Sequence, residues 1–134
     1  MNGRRVCLHL VGASSVTGGG GSNTFVRALA SRQANLGWNP IVVLNQDYRD
    51  GDAPTLPNGS PQCDGLPFDI RVLPPVLGTD RRAYYARRPD AAPGLRELLA
   101  ETMPPVVHFH TLGLSAGVLH LEAAKAIGAR TIVT

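Results

Sequence analysis

Arg5-Val6-Cys7-Leu8-His9-Leu10-Val11, running into Gly12-Ala13-Ser14-Ser15-Val16-Thr17-Gly18-Gly19-Gly20-Gly21-Ser22-Asn23, is the stretch from which the fold is read. The first part is short, apolar and β-branched enough to be a buried strand, and from Phe25 to Leu36 apolar residues return at helical spacing. A strand, a glycine loop and a helix in succession make an anion-binding arrangement. Consecutive glycines let the backbone adopt positive φ and approach a ligand closely, while the first amides of the helix point outward with the positive end of its dipole. A phosphate or a sugar hydroxyl suits such a loop; a plain flexible turn is the competing reading.

Two familiar phosphate fingerprints do not fit. A P-loop ends in Gly-Lys-Ser/Thr, and the only lysine here is Lys125, far downstream. A dinucleotide loop needs G-x-G-x-x-G and an acidic residue closing the second strand; Gly18 to Gly21 matches that spacing loosely, with Asp47 just past the second apolar run.

Working outward, the first helix is expected to start at Ser22 or Asn23, both good N-caps, and to end at Gly37 as its C′ residue. Phe25, Val26, Leu29 and Ala30 form its expected buried side, with Arg27, Arg32 and Asn35 outward. Pro40-Ile41-Val42-Val43-Leu44 is too short and continuously apolar for a helix and reads as a second buried parallel strand. Periodicity then vanishes from Asn45 to Pro67, where turn signals repeat, predicting a long loop. Phe68-Asp69-Ile70-Arg71-Val72-Leu73 alternates at period two, as an edge strand does, and Pro74-Pro75 stops it.

Leu95, Leu98 and Leu99 form the stripe of a short helix over about 93–103, ended by Pro104-Pro105. Val106 to Thr111 is the fourth strand. Leu112, Ala116, Leu119, Ala123 and Ile127 then define a long amphipathic helix capped by Gly128, and a fifth strand begins at Thr131. Strands alternating with helices through right-handed crossovers predict an α/β, Rossmann-like doubly wound parallel sheet of about five strands in the order 3-2-1-4-5, truncated after strand 5. The ligand crevice of such a sheet lies beyond the strands' carboxyl ends where the order reverses, which brings the glycine loop next to His110 and Thr111.

Composition narrows the function. The 134 residues suit one domain, and a net charge of +3 carried almost wholly by dispersed arginines calls for no nucleic acid. Cys7 falls in a strand and Cys63 in a loop, neither a disulfide framework nor a metal motif, so a reducing, cytoplasmic setting is the default. The apolar run after Arg4-Arg5 is too short for a signal peptide, and peripheral contact at the inner membrane surface is the only membrane association left open. Arg81, Arg82, Tyr84 and Tyr85, with Arg87 and Arg88 beside them, combine guanidinium groups and aromatic rings as anionic or sugar-bearing partners require; a solvated helical turn is the plainer alternative.

His108 and His110 are two apart on a strand, so their rings share a face, and His9 on the neighbouring strand can join them. No carboxylate or cysteine at ligand spacing completes a metal site, so none is expected. His108 reads as a packed residue hydrogen-bonded under a helix, His110 as the cleft residue, and His120 as a surface residue of the last helix.

Three stretches in order resemble the N-terminal domain of a GT-B glycosyltransferase of the family 4 type. Gly18-Gly19-Gly20-Gly21-Ser22-Asn23-Thr24-Phe25-Val26-Arg27-Ala28-Leu29-Ala30 is similar to the family's Gly-Gly loop and following helix. Leu36-Gly37-Trp38-Asn39-Pro40-Ile41-Val42-Val43 resembles its Gly-His-x-Val-x-Val-Val, and Pro105-Val106-Val107-His108-Phe109-His110-Thr111 its Pro-Asp-Val-Val-His-x-His, here without the aspartate. The resemblance implies transfer of a sugar from a nucleotide-sugar donor to an acceptor, whether a sugar, a lipid-linked or a small molecule. Gly18, Gly19, Gly20 and Gly21 would lie by the donor phosphates, and His110, Thr111, Arg81, Arg82, Tyr84 and Tyr85 would serve the acceptor or the cleft. No cofactor, no metal and no specific catalytic residue is implied.

In the family a second domain supplies most donor contacts, including a Glu-x7-Glu pair; Glu97, Glu101 and Glu122 are the only glutamates here and no two have that spacing. The expectation is therefore one partial domain over residues 1–134, inactive alone and completed by a C-terminal domain or a partner chain. Two other readings stay open: a non-catalytic ligand-binding or partner subunit, and a generic nucleotide-binding Rossmann domain.

Overall fold

In a computed structural model of the chain, residues 5–11, 21–45, 65–73, 93–110 and 118–134 are described. The elements are β1 (Val6–Leu10), α1 (Gly21–Asn35), β2 (Asn39–Asn45), β3 (Asp69–Leu73), α2 (Pro93–Thr102), β4 (Val106–Phe109), α3 (Val118–Ala126) and β5 (Arg130–Val133). The five strands form one parallel sheet in the order β3-β2-β1-β4-β5. This is the Rossmann-like α/β topology expected from the alternation of strand and helix patterns. The order reverses between β1 and β4, whose carboxyl ends therefore flank the crevice such sheets use for ligands.

Two apolar layers cover the sheet. On one face Leu8, Leu10, Ile41, Val43, Val107 and Phe109 pack with Leu95, Leu98 and Leu99 of α2 and Ala123 and Ala124 of α3. On the other, Val11, Val42, Leu44 and Ile70 pack with Val26 and Ala30 of α1. Strands covered on both sides must be apolar at successive positions, which is why β1 and β2 read as unbroken runs. Each fully buried leucine or valine contributes about 1.5–3 kcal/mol by leaving water. The alternation expected of an edge strand appears as buried Phe68, just before β3, and buried Ile70 against exposed Asp69.

Glycines end two helices. Trp38 donates its N–H to the Gln33 carbonyl at 3.0 Å and Gly37 to that of Ala34 at 3.1 Å, with Gly37 at φ 89°. Ala129 and Gly128 repeat the pattern on Ala124 and Lys125 at 3.2 and 3.0 Å, with Gly128 at φ 81°. In both, the left-handed residue lets the next amides reach carbonyls the helix leaves unpaired, a Schellman closure.

Several expectations are corrected. α1 starts at Gly21, so Ser22 and Asn23 fall in its first turn and not at the cap. Phe25 is 54% exposed: the inward stripe runs through Val26, Ala30 and on to Gln33, which turns Phe25 aside towards the sheet's carboxyl end. His120, expected at the surface, is buried, because the inward face of α3 carries His120, Ala123 and Ala124 at spacings of three and four. The long loop from Asn45, Cys63 within it, and the helix pattern from Leu112 to Gly117 fall largely outside the described residues.

Candidate functional site

The carboxyl ends of β1 and β4 bring three histidines together. His9 and His108 are direct partners across the two strands, and His110 follows one residue beyond β4, its N–H bonded to the Leu10 carbonyl at 3.0 Å. Side chains alternate along a strand, so His9, His108 and His110 share the α1 face while Leu8, Leu10, Val107 and Phe109 take the other. All three imidazoles are buried.

Their contacts form a connected set. His9 Nδ1 lies 2.9 Å from His110 Nε2, and His9 Nε2 lies 2.6 Å from Oε1 of Gln33 on α1. The Gln33 amide is turned so that its Nε2 donates to Cys7 Sγ at 3.9 Å. The His108 ring stacks on that of His110 with centroids 3.8 Å apart, and its Nε2 stands 3.1 Å from Thr134 Oγ1. Phe25, from the start of α1, meets the His110 ring edge-on at 5.8 Å. Among the described residues no buried side-chain nitrogen or oxygen lacks a hydrogen-bond partner.

Burial sets the protonation of the cluster. It holds His9 down at about 4, with the Gln33 bond opposing and His108 adding to the fall, and holds His110 down at about 3, with His108 and His9 adding to the fall. The same desolvation lowers His108, and it pushes the Cys7 thiol up to about 11 against the Gln33 hydrogen bond. At neutral pH the imidazoles are uncharged and Cys7 is a thiol. Uncharged imidazole has one donor and one acceptor nitrogen, so the pair at 2.9 Å is a donor facing an acceptor.

The ring nitrogens of His9, His108 and His110 come within 4.8 Å of one another, a grouping that can hold a metal ion. The expectation of no metal rested on the lack of a carboxylate or cysteine at ligand spacing beside the histidines, and His9 joins His108 and His110 as a third imidazole. The separation of His9 and His110 argues for a different role: two nitrogens on one tetrahedral zinc, each at about 2.05 Å, stand about 3.3 Å apart. At 2.9 Å they have the spacing of a hydrogen bond.

Of the residues singled out in sequence, His110 lies in this cluster at the switch point, and Gly21 opens α1 four residues before Phe25. Gly18, Gly19, Gly20, Thr111, Arg81, Arg82, Tyr84 and Tyr85 lie outside the described residues. His108 is buried and hydrogen-bonded, as a packed histidine should be. Sequence reading missed Gln33 and Cys7; the signal for Gln33 was there, as a polar residue seven after Val26 on the inward stripe. Among the described residues no helix is long and apolar enough to cross a membrane.

No curated protein matches the chain. The family model described as a glycosyl transferase 4-like domain matches residues 20–134, which takes in α1, all four later strands and the helices between them. The chain thus belongs to the glycosyl transferase 4-like domain family.

Proposed function

We propose that this chain is the acceptor-side half of a GT-B enzyme that moves a sugar from a nucleotide-sugar to an acceptor hydroxyl. The observation that carries the reading is the position of His110 at the end of β4, beside β1 and the start of α1, in a domain of the glycosyl transferase 4-like family. That position is where a doubly wound sheet receives its ligand.

Transfer requires an acceptor oxygen to attack the sugar's anomeric carbon while the bond to the nucleoside diphosphate breaks. Charge develops on the departing pyrophosphate, and backbone amides of the Gly18–Gly21 loop at the head of α1 are suited to stabilise it without transferring a proton. His110 gives the acceptor side a neutral imidazole for a sugar hydroxyl, and Phe25 an exposed aromatic surface on which an apolar sugar face can rest. Arg81, Arg82, Tyr84, Tyr85 and Thr111 are assigned to acceptor binding on chemical type. The opposite wall of the cleft belongs to a second domain or partner chain, since donor and acceptor must be held together away from water. A cytoplasmic setting, with contact at the inner membrane surface for a lipid-linked acceptor, suits this chemistry.

Calorimetric titration of nucleotide-sugars against NAD, with the chain joined to a donor-side domain, tests the proposal. Saturable binding of one nucleotide-sugar is expected. Binding of NAD with no nucleotide-sugar bound would favour a generic dinucleotide domain and overturn it.

A further inference from the structure

The side chains behind His110 make a chain of one-way hydrogen bonds. Gln33 Nε2 points at Cys7 Sγ, which leaves Oε1, an atom that only accepts, at 2.6 Å from His9 Nε2. With the amide so turned His9 Nε2 carries a proton, which Cys7 Sγ at 3.6 Å can share as a weak acceptor. In an uncharged ring His9 Nδ1 is then a bare lone pair, and at 2.9 Å it accepts from His110 Nε2, which must carry a proton in turn. His110 Nδ1 is left as the lone-pair nitrogen.

We infer that Gln33 is a positioning residue that, through His9, fixes His110 in the Nε2-protonated tautomer, so that the nitrogen His110 offers to a ligand hydroxyl is an acceptor at Nδ1. The inference deepens the reading of His110 as a cleft residue and rests on it for its functional meaning. Gln33 sits on α1 about two turns behind Phe25, inside the layer and away from the crevice, and acts only through the imidazoles. The Cys7 thiol, 3.9 Å from Gln33 Nε2 and 3.6 Å from His9 Nε2, accepts from the amide and sets its orientation. His108, stacked on His110, fixes the plane of the ring, and its Thr134 partner can donate or accept, so it leaves the tautomer choice to Gln33.

The consequence is specificity of hydrogen-bond sense. An acceptor nitrogen takes a hydrogen bond from a sugar hydroxyl and turns that oxygen's lone pair outward for attack, whereas the opposite tautomer would present an N–H and draw on the oxygen's lone pair. The two tautomers of an otherwise identical site thus favour different steps.

The test is nitrogen-15 NMR of the imidazole rings in the whole chain, which separates protonated from lone-pair ring nitrogens. In the wild type His9 and His110 should both be Nε2-protonated. Gln33→Met, similar in shape but without the acceptor, should remove a bias of roughly fivefold or more and leave His110 as a tautomer mixture. Gln33→Glu, whose carboxylate can only accept, should keep His9 Nε2 protonated. Far-ultraviolet circular dichroism confirms that each variant is folded. His110 protonated at Nδ1 in the wild type, or a pattern unchanged in Gln33→Met, would overturn the inference. So would one equivalent of zinc converting all three rings to the metal-bound form, which would make the cluster a metal site. These readouts need no turnover, so a failed transferase assay and a wrong tautomer are distinguishable.

Discussion

His9 Nδ1 and His110 Nε2 meet at 2.9 Å across the switch point of the sheet, one donor facing one acceptor between two uncharged rings. A second proton on His9 would set donor against donor at this contact, and one on His110 would leave an unneutralised charge in a buried pair. The residues around it, Cys7, Gln33, Phe25 and His108, bring no carboxylate to neutralise such a charge.

Stability should therefore depend on acid. His9 and His110 are lowered from 6.5 to about 4 and about 3, so between pH 6.5 and those values the unfolded chain takes up protons that the folded chain refuses. Stability is complete above pH 6.5 and falls as pH drops through the window, by on the order of a few kcal/mol. His108 and His120, also lowered, act in the same direction. Urea unfolding at pH 7.5 and pH 4.5 measures this; equal stability at the two values would show the histidines to be solvated.

Gly37 should resist substitution although a Cβ there meets no atom within 4 Å, because its φ of +89° strains any side chain. Gly37→Ala is expected to lower stability by about 1 kcal/mol, with Gly37→Asn losing less because asparagine tolerates this region better. Urea midpoints of the two variants decide it, and an alanine variant as stable as the wild type would mean that the α1 closure is not held as described.

Removing the Phe25 ring should separate stability from binding. The side chain is largely exposed and its one described ring contact is to His110, so Phe25→Ala should lower stability by less than about 1 kcal/mol. Under the proposed function it should raise the acceptor KM with little change in kcat. A large loss of stability would show that Phe25 belongs to the core, as its spacing alone suggests.

The Arg71–Glu101 bridge, 2.8 Å long, links β3 to the end of α2 between two well-exposed side chains. Glu101→Gln is expected to change stability by less than about 1 kcal/mol, and by less still in high salt. A greater loss in thermal unfolding would indicate a larger network at this edge.

The sheet was legible because covered strands demand unbroken apolar runs and the Gly37 and Gly128 closures punctuate them; the strand order followed from crossover geometry. Phe25 and His120 were misjudged for one reason. A helix rotated by one position exchanges neighbours between core and surface, and apolar spacing alone does not fix that rotation when alanines dominate the stripe, as in α1 and α3. The histidine cluster was half legible: spacing put His108 and His110 on one face, but Gln33 and Cys7 join only through tertiary register. That register, which sets Gln33 against β1, depends on how α1 lies on the sheet.

The central claim is that His110 serves a sugar-transfer cleft, and kinetics of transfer from a nucleotide-sugar test it most directly, with the chain joined to a donor-side domain. The wild type should turn over, and His110→Ala, shown to be folded, should lose roughly tenfold or more in kcat/KM, the worth of one well-placed hydrogen bond. Transfer at the wild-type rate by the folded His110→Ala protein would contradict the account.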